Sequence, residues 1–260
     1  NSPMTLIKRM RISSTIPAIV NMFKVPGHMN DYEILSRGSA FPLQFEGRTR
    51  WLTSRHVTHP HLHLDTYYAN DDVEWLKSVT SDMTRQHLEW RNTDGSTVVQ
   101  TAKVRQVRGH KDLDVAEIQL EDTNSTNHVL GYELFEEQGG FDALVQHADE
   151  LVFFGHNLNV NIDESTGDDL GYMIPNNESG VAKYVSGFRM LCETKKTLQM
   201  GMCGGPCLVN DKVIGMTEGI LPGRSTDIGS PPKRVADVFP HHAVVMGSAA
   251  LVEFLQQEKS

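Results

Sequence analysis

From Ser36 onward, polar and apolar positions alternate in short segments. Ala40-Phe41-Pro42-Leu43-Gln44-Phe45, Arg50-Trp51-Leu52-Thr53, Thr97-Val98-Val99-Gln100 and Ala116-Glu117-Ile118-Gln119-Leu120 carry the two-residue period of strands that bury one face, and turn residues bound them. Asp94-Gly95, set between Leu88-Glu89-Trp90-Arg91 and Ser96-Thr97-Val98-Val99, predicts a hairpin. The second half repeats the pattern in Leu151-Val152-Phe153-Phe154, Val181-Ala182-Lys183-Tyr184-Val185, Cys207-Leu208-Val209 and Val213-Ile214-Gly215-Met216, with Asn210-Asp211 as the tight turn between the last two. The period changes only at the end, where Leu251, Val252, Phe254 and Leu255 share one helical face over 248–258. Many short strands in two halves and one terminal helix predict an all-β chain of two small barrels. The first is expected over about 36–130, the second over about 140–247, and the helix over 248–258, all after an N-terminal arm over 1–35.

Two stretches interrupt the alternation and read as insertions, of a length that usually carries function or ordering contacts. Residues 59–82 hold a His-rich loop and a short helix, and residues 157–180 are rich in Asn, Asp, Gly and Pro. His59, His61 and His63 would share one face of an extended segment, but three imidazoles alone do not make a metal site, and neither metal nor cofactor is expected. His241-His242 is assigned a structural role, and Asp71-Asp72 and Asp168-Asp169 read as solvated turns.

Composition narrows the function classes. The 260 residues include 33 acidic and 24 basic side chains, a formal charge of -9, with no clustered basic patch, which argues against a nucleic-acid surface. No apolar run approaches the roughly 18 residues of a membrane span. Three cysteines, Cys192, Cys203 and Cys207, are too few and too closely spaced for a disulfide framework, so a reducing intracellular compartment is expected. The opening stretch Met4 to Lys24 contains Lys8, Arg9, Arg11 and Lys24 and no acidic residue. It reads either as the mature edge of an organellar precursor, the mitochondrial matrix being favoured, or as a plain basic arm.

The candidate chemistry lies in Gly201-Met202-Cys203-Gly204-Gly205-Pro206, just before the strand Cys207-Leu208-Val209. A sharp glycine-rich turn lets several backbone N–H groups converge on one small volume, the arrangement that stabilises an oxyanion. The donors here would be Gly201 and Cys203. The segment resembles the Gly-x-Ser-Gly-Gly-Pro box of trypsin-like serine peptidases, with Cys203 where the serine belongs. Two more segments follow the chain order histidine, aspartate, nucleophile of that group. Trp51-Leu52-Thr53-Ser54-Arg55-His56-Val57 is similar to the strand leading into the catalytic histidine of the HtrA/Deg proteases, and Lys111-Asp112-Leu113-Asp114-Val115-Ala116-Glu117-Ile118 to their Asp-Leu-Ala-Val-Leu segment. The second places Asp114 as the orienting carboxylate, with Asp112 as its rival. Gly38-Ser39-Ala40-Phe41, Arg85 to Ile118, Ala148 to Gly155 and His242-Ala243-Val244-Val245 with Leu251 to Leu255 extend the resemblance over 36–256, without the PDZ domain that follows in many HtrA proteins.

The resemblance implies two six-stranded Greek-key barrels and an endopeptidase with a Cys203-His56-Asp114 triad working through a thioacyl-enzyme, as in chymotrypsin-like viral cysteine proteases. It implies a substrate pocket walled by Lys196 to Met200 and Met216-Thr217-Glu218-Gly219, with Met200, Met216 and Glu218 as lining residues and Glu218 drawing a basic substrate side chain. Thr194-Lys195-Lys196-Thr197-Leu198-Gln199-Met200 departs from the group's pattern before the box. The alternative is a pseudoprotease, a structural or interaction subunit that binds protein partners through the N-terminal arm and the 59–82 and 157–180 loops.

Overall fold

The computed structural model describes residues 15–63, 71–122, 149–166, 170–221 and 241–257, with 126, 129, 131–135, 142, 144–145 and 239 between them. Two closed barrels, each of six antiparallel strands, make up the molecule. The first contains β1 (Ala18–Phe23), β2 (Glu33–Phe45), β3 (Arg48–Thr53), β4 (Thr84–Arg91), β5 (Val98–Gly109) and β6 (Ala116–Leu120), in the order β1-β2-β3-β6-β5-β4. The second contains β7 (Leu151–Asn159), β8 (Tyr172–Ser186), β9 (Arg189–Thr194), β10 (Pro206–Val209), β11 (Lys212–Ile220) and β12 (Ala243–Gly247). Read from its first strand, its order is β7-β8-β9-β12-β11-β10, the same circuit as the first barrel. A one-turn helix, α1 (Arg55–Thr58), follows β3, and α2 (Ser248–Gln256) closes the chain. This is the double-barrel arrangement of trypsin-like proteins.

Alternation along the strands serves two cores at once, because successive side chains of a strand point to opposite faces. Ala40 on β2 and Trp51 on β3 face the interior of the first barrel, where Trp51 meets Trp90 edge-on at 5.7 Å. Their neighbours Phe41, Leu43 and Leu52 point the other way, into a cluster shared with Phe154, Leu208, Val213 and Met216 of the second barrel and Leu251, Phe254 and Leu255 of α2. The two barrels are thus cemented along one apolar seam. A third cluster, including Phe153, Met190, Cys192, Cys207 and Ile214, fills the second barrel. Arg108 ties α2 to the first barrel: its guanidinium lies 4.1 Å from the centre of the Phe254 ring and pairs at 2.8 Å with the buried Glu117, which also binds Arg50.

The structure corrects several boundaries. The first barrel starts at Ala18, not 36: Ala18-Ile19-Val20 is buried and pairs with both β2 and β4, closing the ring. The basic residues around this segment masked a short apolar run of the kind that marks a strand buried on both faces. Of the arm, residues 1–14 lie outside the described residues. Both ends of the 157–180 stretch are strand: β7 and β8 pair from Leu151↔Gly180 to Asn159↔Tyr172, and the amide of Asn176 donates to Asn157 Oδ1 at 3.1 Å. Cross-strand pairing here overrides a loop-like composition. Asp94-Gly95 does sit in a hairpin, but the loop runs from Asn92 to Thr97 and is held by Gly95 N–H to Asn92 O at 2.9 Å. The short helix expected within 59–82 is 3-10 in form, over Asp71–Ser78. The Asp71 and Asp72 side chains, Asp168-Asp169 and residues 64–70 fall outside the described residues. No helix among the described residues is long and apolar enough to cross a membrane.

Candidate active site between the barrels

His56 and Asp114 come from the same end of two neighbouring strands of the first barrel, where Thr53 of β3 pairs with Ala116 of β6. β3 ends at Thr53 and the chain turns at once into α1, which presents His56 at the seam; Asp114 lies two residues before β6. The Asp114 carboxylate fixes the histidine twice, accepting its backbone N–H on Oδ1 at 2.7 Å and its Nδ1–H on Oδ2 at 2.6 Å. Both residues are buried. Asp112, the rival from the sequence, is an exposed side chain whose ionic neighbour is Lys111 at 3.7 Å. With Nδ1 committed to Asp114, the hydrogen bond between His56 and Cys203 falls to Nε2. Burial disfavours the imidazolium, but the hydrogen bonds with Asp114 and then Cys203 outweigh it and lift His56 to about 10.

Cys203 sits in the glycine-rich turn of the second barrel, and hydrogen bonds hold that turn from both sides. Ser39 N–H donates to Cys203 O at 2.8 Å, Gly204 N–H to Thr217 O at 2.8 Å, and Thr217 N–H to Gly205 O at 2.8 Å. Gly201 has φ +100° and Gly204 φ +83°, in the region that favours glycine. A Cβ on Gly204 would collide with Ser39 O and Thr53 Oγ1, and one on Gly201 would lie 2.7 Å from His156 O.

Peptide planarity then orients the donors. Met200 O accepts the Leu158 N–H at 2.8 Å, so it points toward β7, and across the trans peptide the Gly201 N–H points the opposite way. Among the described residues, neither the Gly201 nor the Cys203 amide donates to a protein acceptor. A thiol, an imidazole backed by a carboxylate and, in the thiol's own turn, two amides without acceptors thus lie close together on the seam. Such a site can move a proton from sulfur to imidazole and stabilise a negative oxygen.

The remaining sequence-chosen residues fare differently. Met200 is 67% exposed beside the turn. Met216 is fully buried in the inter-barrel cluster and forms no pocket wall. Glu218 is buried at a bulge where β11 shifts register on β12, and its carboxylate accepts Arg189 Nε at 2.6 Å and Nη2 at 2.5 Å. Arg189 from β9 already answers its charge, so Glu218 is a structural ion pair and not a receptor for a basic side chain. His59, His61 and His63 do not share a strand face, because Pro60–Leu62 forms a 3-10 turn between them. The His63 ring lies edge-on to His56 at 6.4 Å, and burial, followed by its cationic neighbours, holds His59 down at about 4. Among the described residues, no group of three His, Cys, Asp or Glu side chains is placed to hold a metal ion. His242 packs on Phe239 at 5.3 Å, which in turn stacks on Tyr184 at 5.8 Å.

Sequence reading missed Ser39, His156 and Leu158 as parts of this site. Ser39 lies in a segment whose pattern marks only a strand, and His156 and Leu158 lie where a loop-like composition begins, so nothing local marks them as neighbours of the turn. No protein-family model and no curated protein matches this sequence; the chemistry of the site is carried by its own residues and their geometry.

Proposed function

We propose that the protein is a trypsin-like endopeptidase of HtrA-like character, with Cys203 as nucleophile, His56 as general base and Asp114 as the group that orients it. The observation that carries this reading is the hydrogen-bonded chain Asp114–His56–Cys203 set beside two amides with no acceptor. The thiol proton rests on His56 Nε2, so the sulfur attacks the peptide carbonyl carbon as thiolate, while the carbonyl electron pair moves to oxygen, facing the Gly201 and Cys203 N–H groups. Collapse of the intermediate expels the amine, which takes the proton from His56 and leaves a thioester on Cys203. Water, deprotonated by His56, then releases the acid and restores the thiol. An imidazolium neighbour favours the thiolate, which is the nucleophilic form of cysteine.

The edge of β11 supports a peptide as substrate. β10 pairs with β11 only as far as Met216 and the Cys203 turn itself holds Thr217, so among the described residues Glu218 to Ile220 have a strand partner on the β12 side alone. An extended peptide could add there by backbone hydrogen bonding. Three free thiols suit a reducing compartment, and the mitochondrial matrix is the compartment proposed.

The test is alkylation by iodoacetamide at pH 7, read by mass spectrometry of the modified cysteine. Cys203 of the wild type should react selectively, and His56→Ala should slow that reaction roughly tenfold, because an unassisted thiol of pKa about 8.5 is only a few per cent thiolate at that pH. Equal rates in the two proteins would remove the mechanism and leave the pseudoprotease subunit as the better reading.

A further inference from the structure

Ser39, on β2 of the first barrel, is fully buried and bonds through every polar atom it has. Its N–H donates to Cys203 O at 2.8 Å, and its own carbonyl accepts Thr53 Oγ1–H at 2.7 Å. Its hydroxyl lies 2.7 Å from Gly201 O and 3.0 Å from the backbone N of His156. A carbonyl can only accept, so the single hydroxyl proton goes to Gly201 and the oxygen lone pairs face His156, whose Nδ1 is 3.4 Å away. The hydroxyl has no room to leave: a Cβ on Gly155, in β7, would lie 2.7 Å from Ser39 Oγ.

The two peptides that flank Gly201 are therefore held by different barrels. Leu158 N–H fixes the carbonyl before Gly201, from the second barrel, and Ser39 Oγ fixes the carbonyl of Gly201 itself, from the first. Fixing both planes sets the dihedral angles of a glycine that would otherwise rotate freely. It thereby fixes where the Gly201 N–H points.

We propose that Ser39 is a positioning residue for the oxyanion site: its hydroxyl, wedged between Gly201 O and the His156 amide, locks the turn so that the Gly201 N–H stays aimed at the reacting carbonyl. This role rests on the peptidase reading above. It acts only where a negative oxygen develops, so it separates two reactions of the same thiol. Alkylation by iodoacetamide displaces iodide at a saturated carbon and forms no oxyanion. Acylation by p-nitrophenyl acetate transfers the acetyl group to Cys203 sulfur through a tetrahedral oxyanion and releases p-nitrophenolate.

The experiment measures both rates at Cys203 in the wild type, Ser39→Ala and Gly155→Ala, the last of which keeps the hydroxyl but displaces it. Acylation should fall roughly 10- to 100-fold in both variants, as for a misaimed or lost oxyanion donor, while alkylation stays within about twofold. The unchanged alkylation also shows that the seam and the His56–Cys203 contact have survived. If the wild type acylates and the variants acylate as fast, or if both rates fall together, the positioning role of Ser39 is overturned and the peptidase reading stands. A wild type that alkylates in a His56-dependent way but never acylates overturns the peptidase reading, and this role with it.

Discussion

His56 and His156 are both buried imidazoles on the inter-barrel seam, and their surroundings push them in opposite directions. His156 is fully enclosed; burial, with a further contribution from Arg91 that exceeds the opposing one from Glu89, holds it down at about 3. His56 is lifted to about 10 by its partners despite its burial. Their effects on stability fall in different windows. His156 binds a proton more readily in the unfolded chain, so its contribution is present above pH 6.5 and is lost as pH falls toward 3. The contribution of His56 is fully present below 6.5 and is lost as pH rises through about 10. Between pH 6.5 and 4.5 the unfolding free energy should therefore fall with acidification. Replacing His156 with Gln should flatten that slope by about one proton's worth, about 1.4 kcal/mol per pH unit. Urea titrations at several pH values measure it, and parallel slopes in the two proteins would contradict the assignment.

At the scale of elements, turns decide how the strands meet. The β10–β11 connection, Asn210-Asp211, has φ of 49° and 65°, as expected for a tight two-residue hairpin. β2 and β3 meet through a second such turn, Glu46-Gly47, with φ of 49° and 74°. There Glu46 occupies the left-handed region, which Asn tolerates better than Glu. Glu46→Asn should raise the unfolding free energy by about 0.5 kcal/mol, read as a higher denaturant midpoint at unchanged m-value, and a lower midpoint would show that local turn preference does not limit this hairpin. The 92–97 loop obeys a different rule. Asp94-Gly95 promises a two-residue turn, but a Cβ on Gly95 would lie 2.7 Å from Met173 O of β8, so its glycine serves a close approach between the barrels as well as the turn.

For the whole molecule, the thiols report on the packing. Cys192 and Cys207 are fully buried in the second barrel; burial raises Cys192 to about 12 and Cys207 well above its ordinary range, whereas Cys203 is partly exposed at the seam. An aromatic disulfide reagent should modify one cysteine rapidly in the native protein and all three after denaturation; rapid reaction of two or more native thiols would mean that the second barrel is not closed as described. Much of the architecture is legible in the sequence because its signals are local. A two-residue period marks a strand whatever its partner, a helical face marks α2, and a run of glycines around a thiol marks a tight turn. What the sequence leaves open is set by neighbours distant along the chain. Asp114 is distinguished from Asp112 by the side chain that reaches His56, and Glu218 faces Arg189 because a bulge turns it there. Ala18 to Phe23 becomes a strand because β2 and β4 lie on either side of it. Ser39 and His156, 117 positions apart, meet at the turn only because two barrels share one seam. The sequence by itself determined which segments could pair and which side chains could react. The tertiary structure decided which pairings close and where each reactive group points, because strand partners and buried hydrogen bonds join residues that no local pattern connects.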